Sequence, residues 1–349
     1  MKHSSRLKEK ATIHDVAAAA GTSISTVSRV LTGSANVRPA KREAVLQAIE
    51  KLDYSPNLLA RGLKTNMTYC LGLVINDIQS PFYSAAAKGM QAFAISKGYA
   101  TMLFESGDDP EMERRSLEIL KAKGVDGIVF VPTGGNHAFI QNFVEEGIPL
   151  VQIDRSLDDI PASIVVVDDE ALAYEAVNHL IENGYQRVAI LIFDQPITPH
   201  HLRLEGYRRA LIESNLPILE EYVCRSGTSS EDGYAMTLTL LDLPNRPEAL
   251  LATSSRLGIG ALKALKERNL RVGDNMGVVV FDDVEAFPVM TPSITAVHHP
   301  GYDIGWKAAE LIMDAIESEQ PLEAQKVVLP AQLIVRESSQ PRFESINLN

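Results

Sequence analysis

From Tyr69 onward the chain repeats one unit: a short continuous apolar run, a polar break, then an amphipathic helix. The apolar runs are Cys70 to Ile75, Thr101 to Phe104, Gly127 to Val131, Leu150 to Ile153, Ile164 to Val167, Val188 to Phe193, Ala249 to Ala252 and Gly277 to Phe281. Helical periodicity falls at 82–97, 111–122, 170–183, 203–214 and 257–268. A strand without apolar/polar alternation is buried on both faces, and strands separated by helices run parallel. The pattern therefore predicts an α/β body of parallel sheets covered on both sides. It is too long for one compact sheet, so two similar lobes are expected. In such sheets ligands collect beyond the carboxyl ends of the strands. There the chain places Asn76-Asp77, Asp154-Arg155, Asp194, Thr253-Ser254-Ser255 and Asp282-Asp283. Each of these alone reads more readily as the N-cap of the next helix. Together they outline a cleft rich in carboxylates and hydroxyls, suited to a polyhydroxylated ligand such as a sugar or sugar acid.

Ahead of this body, residues 12–31 have a different rhythm. Thr12 caps a helix, Asp15 answers it as the partner of a capping box, and Ile13, Val16 and Ala17 form an apolar stripe. Gly21 can take the positive φ of a helix end, and Ser23 suits the N-cap of a second helix. That helix buries Val27, Val30 and Leu31, leaving Ile24, Ser25, Ser28 and Arg29 to face elsewhere. The spacing predicts a helix-turn-helix whose outer surface fits a DNA major groove. Arg29 would make two hydrogen bonds to a guanine edge, hydroxyls would reach phosphates or bases, and Ile24 would cover a thymine methyl. Pro39 opens a third helix running to about Leu52, with Val45, Leu46, Ile49 and Leu52 closing a three-helix core.

The charge divides along the same line. Residues 1–65 hold 11 Lys and Arg against 5 Asp and Glu, net +6, while the rest holds 22 against 40, net −18. A basic head releases counterions from a duplex, and an acidic body is repelled by it. Between them, Leu58 to Lys64 is a short apolar segment that would barely be helical alone. It reads equally as a plain linker or as a segment that folds against its copy on DNA, with Leu63 as a minor-groove wedge.

Several chemistries are disfavoured. No dinucleotide-binding, P-loop or nucleophile-elbow motif is present. The adjacent pairs His200-His201 and His298-His299 point apart on an extended chain and are poorly placed to chelate one metal ion. Asp168-Asp169-Glu170 is the acidic start of a helix. Cys70 and Cys224 read as buried free thiols. No run of 18 apolar residues occurs and the first residues lack a signal-peptide core, so a cytoplasmic protein without a membrane partner is expected. The tail from Gln340 to Asn349 has no leucine heptads, which favours a dimer over a coiled-coil tetramer.

Residues 12–31, followed by Tyr54-Ser-Pro-Asn-Leu-Leu-Ala-Arg-Gly-Leu63, closely resemble the DNA-binding head and hinge of the lactose/galactose repressor family of bacterial transcription factors. Leu71 to Tyr83, Val125 to Ile128, Pro149 to Arg155, Arg203 to Tyr207 and Phe281 to Asp283 look like landmarks of the same family, so the resemblance spans about 11–337. It implies an all-α helix-turn-helix head (1–54), a hinge (55–67) and a two-lobed periplasmic-binding-protein-like body (68–340). Lobe 1 would comprise about 68–167 and 299–326, and lobe 2 about 168–298 and 327–340. It further implies a homodimeric repressor of carbohydrate-utilisation genes on a pseudo-palindromic double-stranded operator, with no cofactor and no metal. The small effector would be a sugar, sugar acid or sugar phosphate held between the lobes. The expected DNA-contacting residues are Thr12, Ser23, Ile24, Ser25, Thr26, Ser28, Arg29, Asn36, Asn57, Arg61 and Leu63. The expected effector contacts are Asn76, Phe82, Asp154, Arg203, Thr228, Ser254, Asp282 and His299. Ser254-Ser255, Thr228 and His299 depart from the family's usual Asn-Asp, aromatic and Gln, which favours a smaller or more anionic effector. His299 would add positive charge below neutral pH. The alternative is a cytoplasmic sugar-binding protein or sugar enzyme whose head does not read DNA.

Overall fold

The computed structural model describes residues 11–31, 36–54, 67–194, 197–318 and 323–340. The chain divides into two compact units, Met1–Tyr69 and Cys70–Asn349.

In the first unit, three helices enclose a small core: α1 (Ile13–Ala19), α2 (Ile24–Leu31) and α3 (Pro39–Lys51). Thr12 and Asp15 form the expected capping box. The Thr12 backbone N–H donates to Asp15 Oδ2 at 2.8 Å and the Asp15 N–H donates to Thr12 Oγ1 at 3.4 Å. Gly21 takes a φ of +59°, which turns the chain sharply between α1 and α2. Val16, Ala17, Val27, Val30, Val45 and Ala48 are buried together. Leu46, expected in this core, is 53% exposed; Ala48 fills its place because 45, 48, 49 and 52 share one helical face.

The second unit holds two six-stranded sheets. The first has the order β11-β5-β4-β3-β1-β2, with β1 Cys70–Ile75, β2 Ala100–Glu105, β3 Gly127–Phe130, β4 Leu150–Ile153, β5 Ser163–Val166 and β11 Lys326–Val328. The second has the order β12-β10-β9-β8-β6-β7, with β6 Val188–Phe193, β7 Val223–Ser226, β8 Ala249–Ala252, β9 Gly277–Phe281, β10 Thr295–His298 and β12 Gln332–Ile334. The two sheets share one topology: a second strand outside the first, then three more on the other side, then a strand supplied by the C-terminal segment. All of these pairings are parallel except β10 with β12, which is antiparallel.

Helices α4 (Pro81–Ser96), α5 (Pro110–Lys123), α6 (His137–Glu145) and α11 (Gly301–Glu317) serve the first sheet. Helices α7 (Asp169–Glu182), α8 (Thr198–Glu213), α9 (Ser230–Leu241) and α10 (Ser255–Glu267) serve the second. The periodicity that marks α4, α5, α7 and α10 is local, whereas β7, β10, β11, β12, α6, α9 and α11 were not foreseen. Helix α8 begins five residues before the expected start at Arg203, because Pro199 sits in its first turn, where no N–H is needed. The chain passes between sheets after β5, after β10 and after β11. The last passage follows Val328 rather than Lys326, since Lys326, Val327 and Val328 pair with Ile164, Val165 and Val166 of the first sheet.

Close helix contacts tie each layer together. On α4, a Cβ at Gly89 would overlap the Tyr302 carbonyl of α11, and one at Gly305 would overlap the Ala86 backbone of α4. The two helices therefore approach nearly backbone to backbone. Gly305→Ala should lower stability by about 1–3 kcal/mol through overpacking; an unchanged urea midpoint would show that this approach is not constrained.

Candidate functional site

On the head, Ile24, Ser25 and Arg29 are exposed on α2, with Ile24 at 41%. Thr12, Ser23 and Asn36 are also exposed, and Thr26 and Ser28 are half-buried. Ser23 holds the start of α2: its Oγ accepts from the Thr26 N–H at 3.3 Å and lies 2.8 Å from Ser25 Oγ and 2.9 Å from Thr26 Oγ1. The helix thus presents an apolar group, hydroxyls and a guanidinium on one accessible surface while its valines face the core. Asn57, Arg61 and Leu63 lie outside the described residues.

In the body, the carboxyl ends of both sheets border one cleft of about 440 Å³. Seven of the eight expected effector residues line it: Asn76, Phe82, Asp154, Arg203, Thr228, Ser254 and Asp282. His299 does not; it is buried behind Asp282, where its Nδ1 donates to Asp282 Oδ1 at 2.9 Å. Its ring lies near Phe82 and Phe281, with centroids 5.7 and 5.6 Å away.

Each lobe contributes an aspartate in left-handed backbone conformation just past a central strand, Asp154 (φ +65°) after β4 and Asp282 (φ +69°) after β9. A non-glycine residue held there costs about 1–3 kcal/mol, which the surrounding bonds must offset. On the first lobe, the Tyr83 hydroxyl donates to Asp154 Oδ2 at 2.7 Å. The Asn76 amide donates to Asp108 Oδ1 at 2.7 Å, as does Arg155 Nη1 at 2.5 Å. On the second, Arg203 donates from Nε to Asp169 Oδ1 and from Nη1 to the Thr253 carbonyl, both at 2.7 Å, with its guanidinium over the Phe281 ring. At the cleft mouth Arg256 is paired with Asp77 across the lobes.

Burial raises the Asp154 carboxyl above its ordinary value despite the pull of Arg155 and Arg203. At Asp282 burial acts in the same sense, but the His299 hydrogen bond and the His299 and Arg203 charges hold the carboxyl below its ordinary value. Burial, aided by the charges of Arg203 and Arg155, pushes the His200 imidazole well below its usual value. The Tyr83 hydroxyl is pushed well above its own by burial and by Asp154, so it remains a donor.

Sequence reasoning missed Tyr83, Asp108, Asp169 and His200 as parts of this site, and it placed Arg155 and Thr253 at the cleft's strand ends without counting them as effector contacts. Tyr83 and Arg155 adjoin Phe82 and Asp154, and Asp108 lies in the polar break after β2, so adjacency to a strand end was an available signal. Asp169 had been read only as a helix start. Among the described residues no group of three metal-ligating side chains occurs, and no helix is long and apolar enough to cross a membrane.

Two family matches cover parts of the chain: residues 12–57 match the lacI family of bacterial regulatory proteins, and 177–339 a periplasmic binding protein-like domain. Catabolite control protein A of Priestia megaterium is 32% identical over 332 residues, covering 94% of this chain and 99% of that one. The solved complex of transcriptional regulator CelR with cellobiose is 31% identical, with a TM-score of 0.71 over 94% of this chain and 99% of that one. The lac repressor dimer bound to operator and the anti-inducer ONPF shares the fold, with a TM-score of 0.83 at 24% identity over 95% of this chain and 100% of that one.

The surroundings of His200 make stability depend on pH. The folded protein resists protonating this ring, whereas the unfolded chain takes up the proton near the ordinary value of 6.5. The unfolded state thus binds more protons as pH falls, and a contribution that is whole above 6.5 is lost progressively below it. Urea unfolding between about pH 7.5 and pH 5 should show the wild type losing stability more steeply toward acid than His200→Gln. Parallel profiles would contradict this. His179, also lowered by burial, is common to both proteins and cancels in the difference.

Proposed function

Because the chain belongs to the lacI family of bacterial regulatory proteins, we propose that this DNA-binding transcriptional regulator represses carbohydrate-utilisation genes as a cytoplasmic homodimer. A small neutral, polyhydroxylated effector in the cleft controls it. Its relatives are transcriptional regulators rather than enzymes. The head reads a pseudo-palindromic operator through α2. Ile24, Ser25 and Arg29 face base edges, Thr12, Ser23, Thr26, Ser28 and Asn36 reach phosphates or bases, and Asn57, Arg61 and Leu63 extend the contact through the hinge.

The observation that carries the effector reading is the disposition of charge in the cleft. Arg155, Arg203 and Arg256 each already hold a carboxylate, from Asp108, Asp169 and Asp77. Asp154 and Asp282 present acceptor oxygens, backed by Tyr83 and His299. Such a site offers acceptors to hydroxyl groups and little unspent positive charge to an acid or phosphate, and Phe82 supplies an apolar wall. This favours a neutral sugar over the sugar acid or sugar phosphate that the departures at Ser254, Thr228 and His299 brought forward. Closure of the lobes on the ligand shifts the dimer between states with different head spacing.

The test begins with duplexes selected from a random pool by the full-length protein. Arg29→Ala should weaken binding to the selected duplex about tenfold or more while leaving non-specific binding nearly intact. Affinity of the wild type should fall steeply between about 50 and 200 mM salt. A wild type that ignores every duplex at low salt would remove the regulator reading.

A further inference from the structure

His200 is a polar group in the cleft wall that the expected effector contacts did not include. It lies three residues before Arg203 on α8, so both side chains leave the same face of the helix. It lines the cleft and is only 9% exposed. The ring stands edge-on to Phe193, with centroids 5.5 Å apart and planes at 73°. Among the described residues its buried Nδ1 has no hydrogen-bond partner. Buried polar atoms in native proteins are paired in more than nine cases of ten, so an unpaired one in a cavity wall marks the place of a group supplied from outside.

We propose that His200 contacts the effector directly and selects for a hydroxyl group at the second lobe's wall of the cleft. The inference rests on the reading of the cleft as a neutral-sugar site and adds to it a residue that decides which sugar fits. The argument is one of matching valence. A neutral imidazole carries one N–H donor and one acceptor nitrogen. A hydroxyl can pair with Nδ1 in either tautomer, whereas a carboxylate or phosphate dianion can only accept and pairs with Nδ1 only in the tautomer that carries the proton there. Arg203 is committed to Asp169 and the Thr253 carbonyl; on the first lobe Arg155 is committed to Asp108 through Nη1, and its buried Nε has no hydrogen-bond partner among the described residues. Among the described residues Nδ1 of this ring is thus the buried cleft atom on the second lobe that an effector is left to satisfy.

The test uses the full-length protein and a fixed panel of probes: D-ribose, D-glucose, D-galactose and cellobiose as neutral members, D-gluconate and glucose 6-phosphate as anionic ones. Thermal shift identifies the neutral probe that binds, and calorimetry then measures its Kd for the wild type, His200→Phe and His200→Gln. Phe keeps the ring and its contact with Phe193 but removes both polar nitrogens; Gln keeps a donor and an acceptor. The expected result is a Kd about tenfold or more weaker in His200→Phe and restored to within a few-fold in His200→Gln. The ligand-free Tm of His200→Phe should be equal to or above that of the wild type, because an unpaired buried nitrogen has been removed. A neutral probe bound equally well by wild type and His200→Phe overturns the role of His200 and leaves the neutral-sugar reading standing. A lowered ligand-free Tm in His200→Phe, with no rescue of Kd by Gln, marks the residue as structural and overturns the proposal. Binding confined to the anionic probes, or no binding at all, overturns the neutral-sugar reading and this inference with it.

Discussion

The body depends on keeping charge out of water without leaving it alone. Two sheets whose central strands are apolar but for Gln152 meet at their carboxyl ends, and into that meeting point the chain brings Asp108, Asp154, Asp169, Asp282, Arg155 and Arg203. A single buried, unpaired charge costs several kcal/mol, so the arrangement stands only because each group is answered. Asp169 takes the Arg203 guanidinium, Asp108 takes that of Arg155, and the Tyr83 hydroxyl and His299 imidazole serve Asp154 and Asp282. The same bonds fix Asp154 and Asp282 in left-handed backbone conformations that would not persist unaided.

This answering of charge is also what the proposed neutral effector rests on. Arginines in a binding site ordinarily invite acids and phosphates, because the guanidinium fork matches their oxygens. Here each fork is partly occupied from within, Arg203 through Nε and Nη1 and Arg155 through Nη1, and beside the remaining guanidinium N–H groups stand carboxylate oxygens and the His200 imidazole. Arg203, a natural candidate for an effector contact, is first of all a brace: it holds α7 to α8 through Asp169 and anchors the end of β8 through the Thr253 carbonyl. A loop on the first lobe is held in a similar way, with buried Glu113 accepting from the Thr133 N–H and hydroxyl and from Asn136. The Pro132 carbonyl beside it faces Arg155 at 3.4 Å. Asp77 and Arg256 bridge the two lobes at the cleft.

The head was legible in its sequence nearly residue by residue. Thr12 and Asp15 are three apart, Gly21 ends a helix, and Val16, Ala17, Val27 and Val30 mark the apolar stripes of α1 and α2, so the caps and faces of these helices are set by near neighbours, while Val45 and Ala48 of α3 close their core from further along the chain. Leu46 was misassigned because an apolar residue beside the stripe cannot be told from one within it until the neighbouring helices are placed. In the body, strands β1, β3, β4, β6, β8 and β9 were visible because burial on both faces makes them apolar throughout, Gln152 of β4 apart. Edge strands such as β7, β11 and β12 are three or four residues long with mixed exposure and carry no such mark.

What the sequence determined by itself is whatever local chemistry dictates: the helix-turn-helix with its caps, the parallel α/β character of the body, and the polar residues at the strand ends that had to share a cleft. What only the tertiary structure decided is who answers whom. Asn76 reaches Asp108 across 32 positions, Tyr83 reaches Asp154 across 71, and Arg203 reaches Asp169 across 34, so none of these pairs has a signature in spacing. The same holds for His299, which looked like a lining residue and proved to be the support of Asp282, and for Gly89 and Gly305, whose lack of a side chain matters only once α4 and α11 touch. Hydrogen bonding and burial act through space, and the order of residues along the chain records them only where space and sequence coincide.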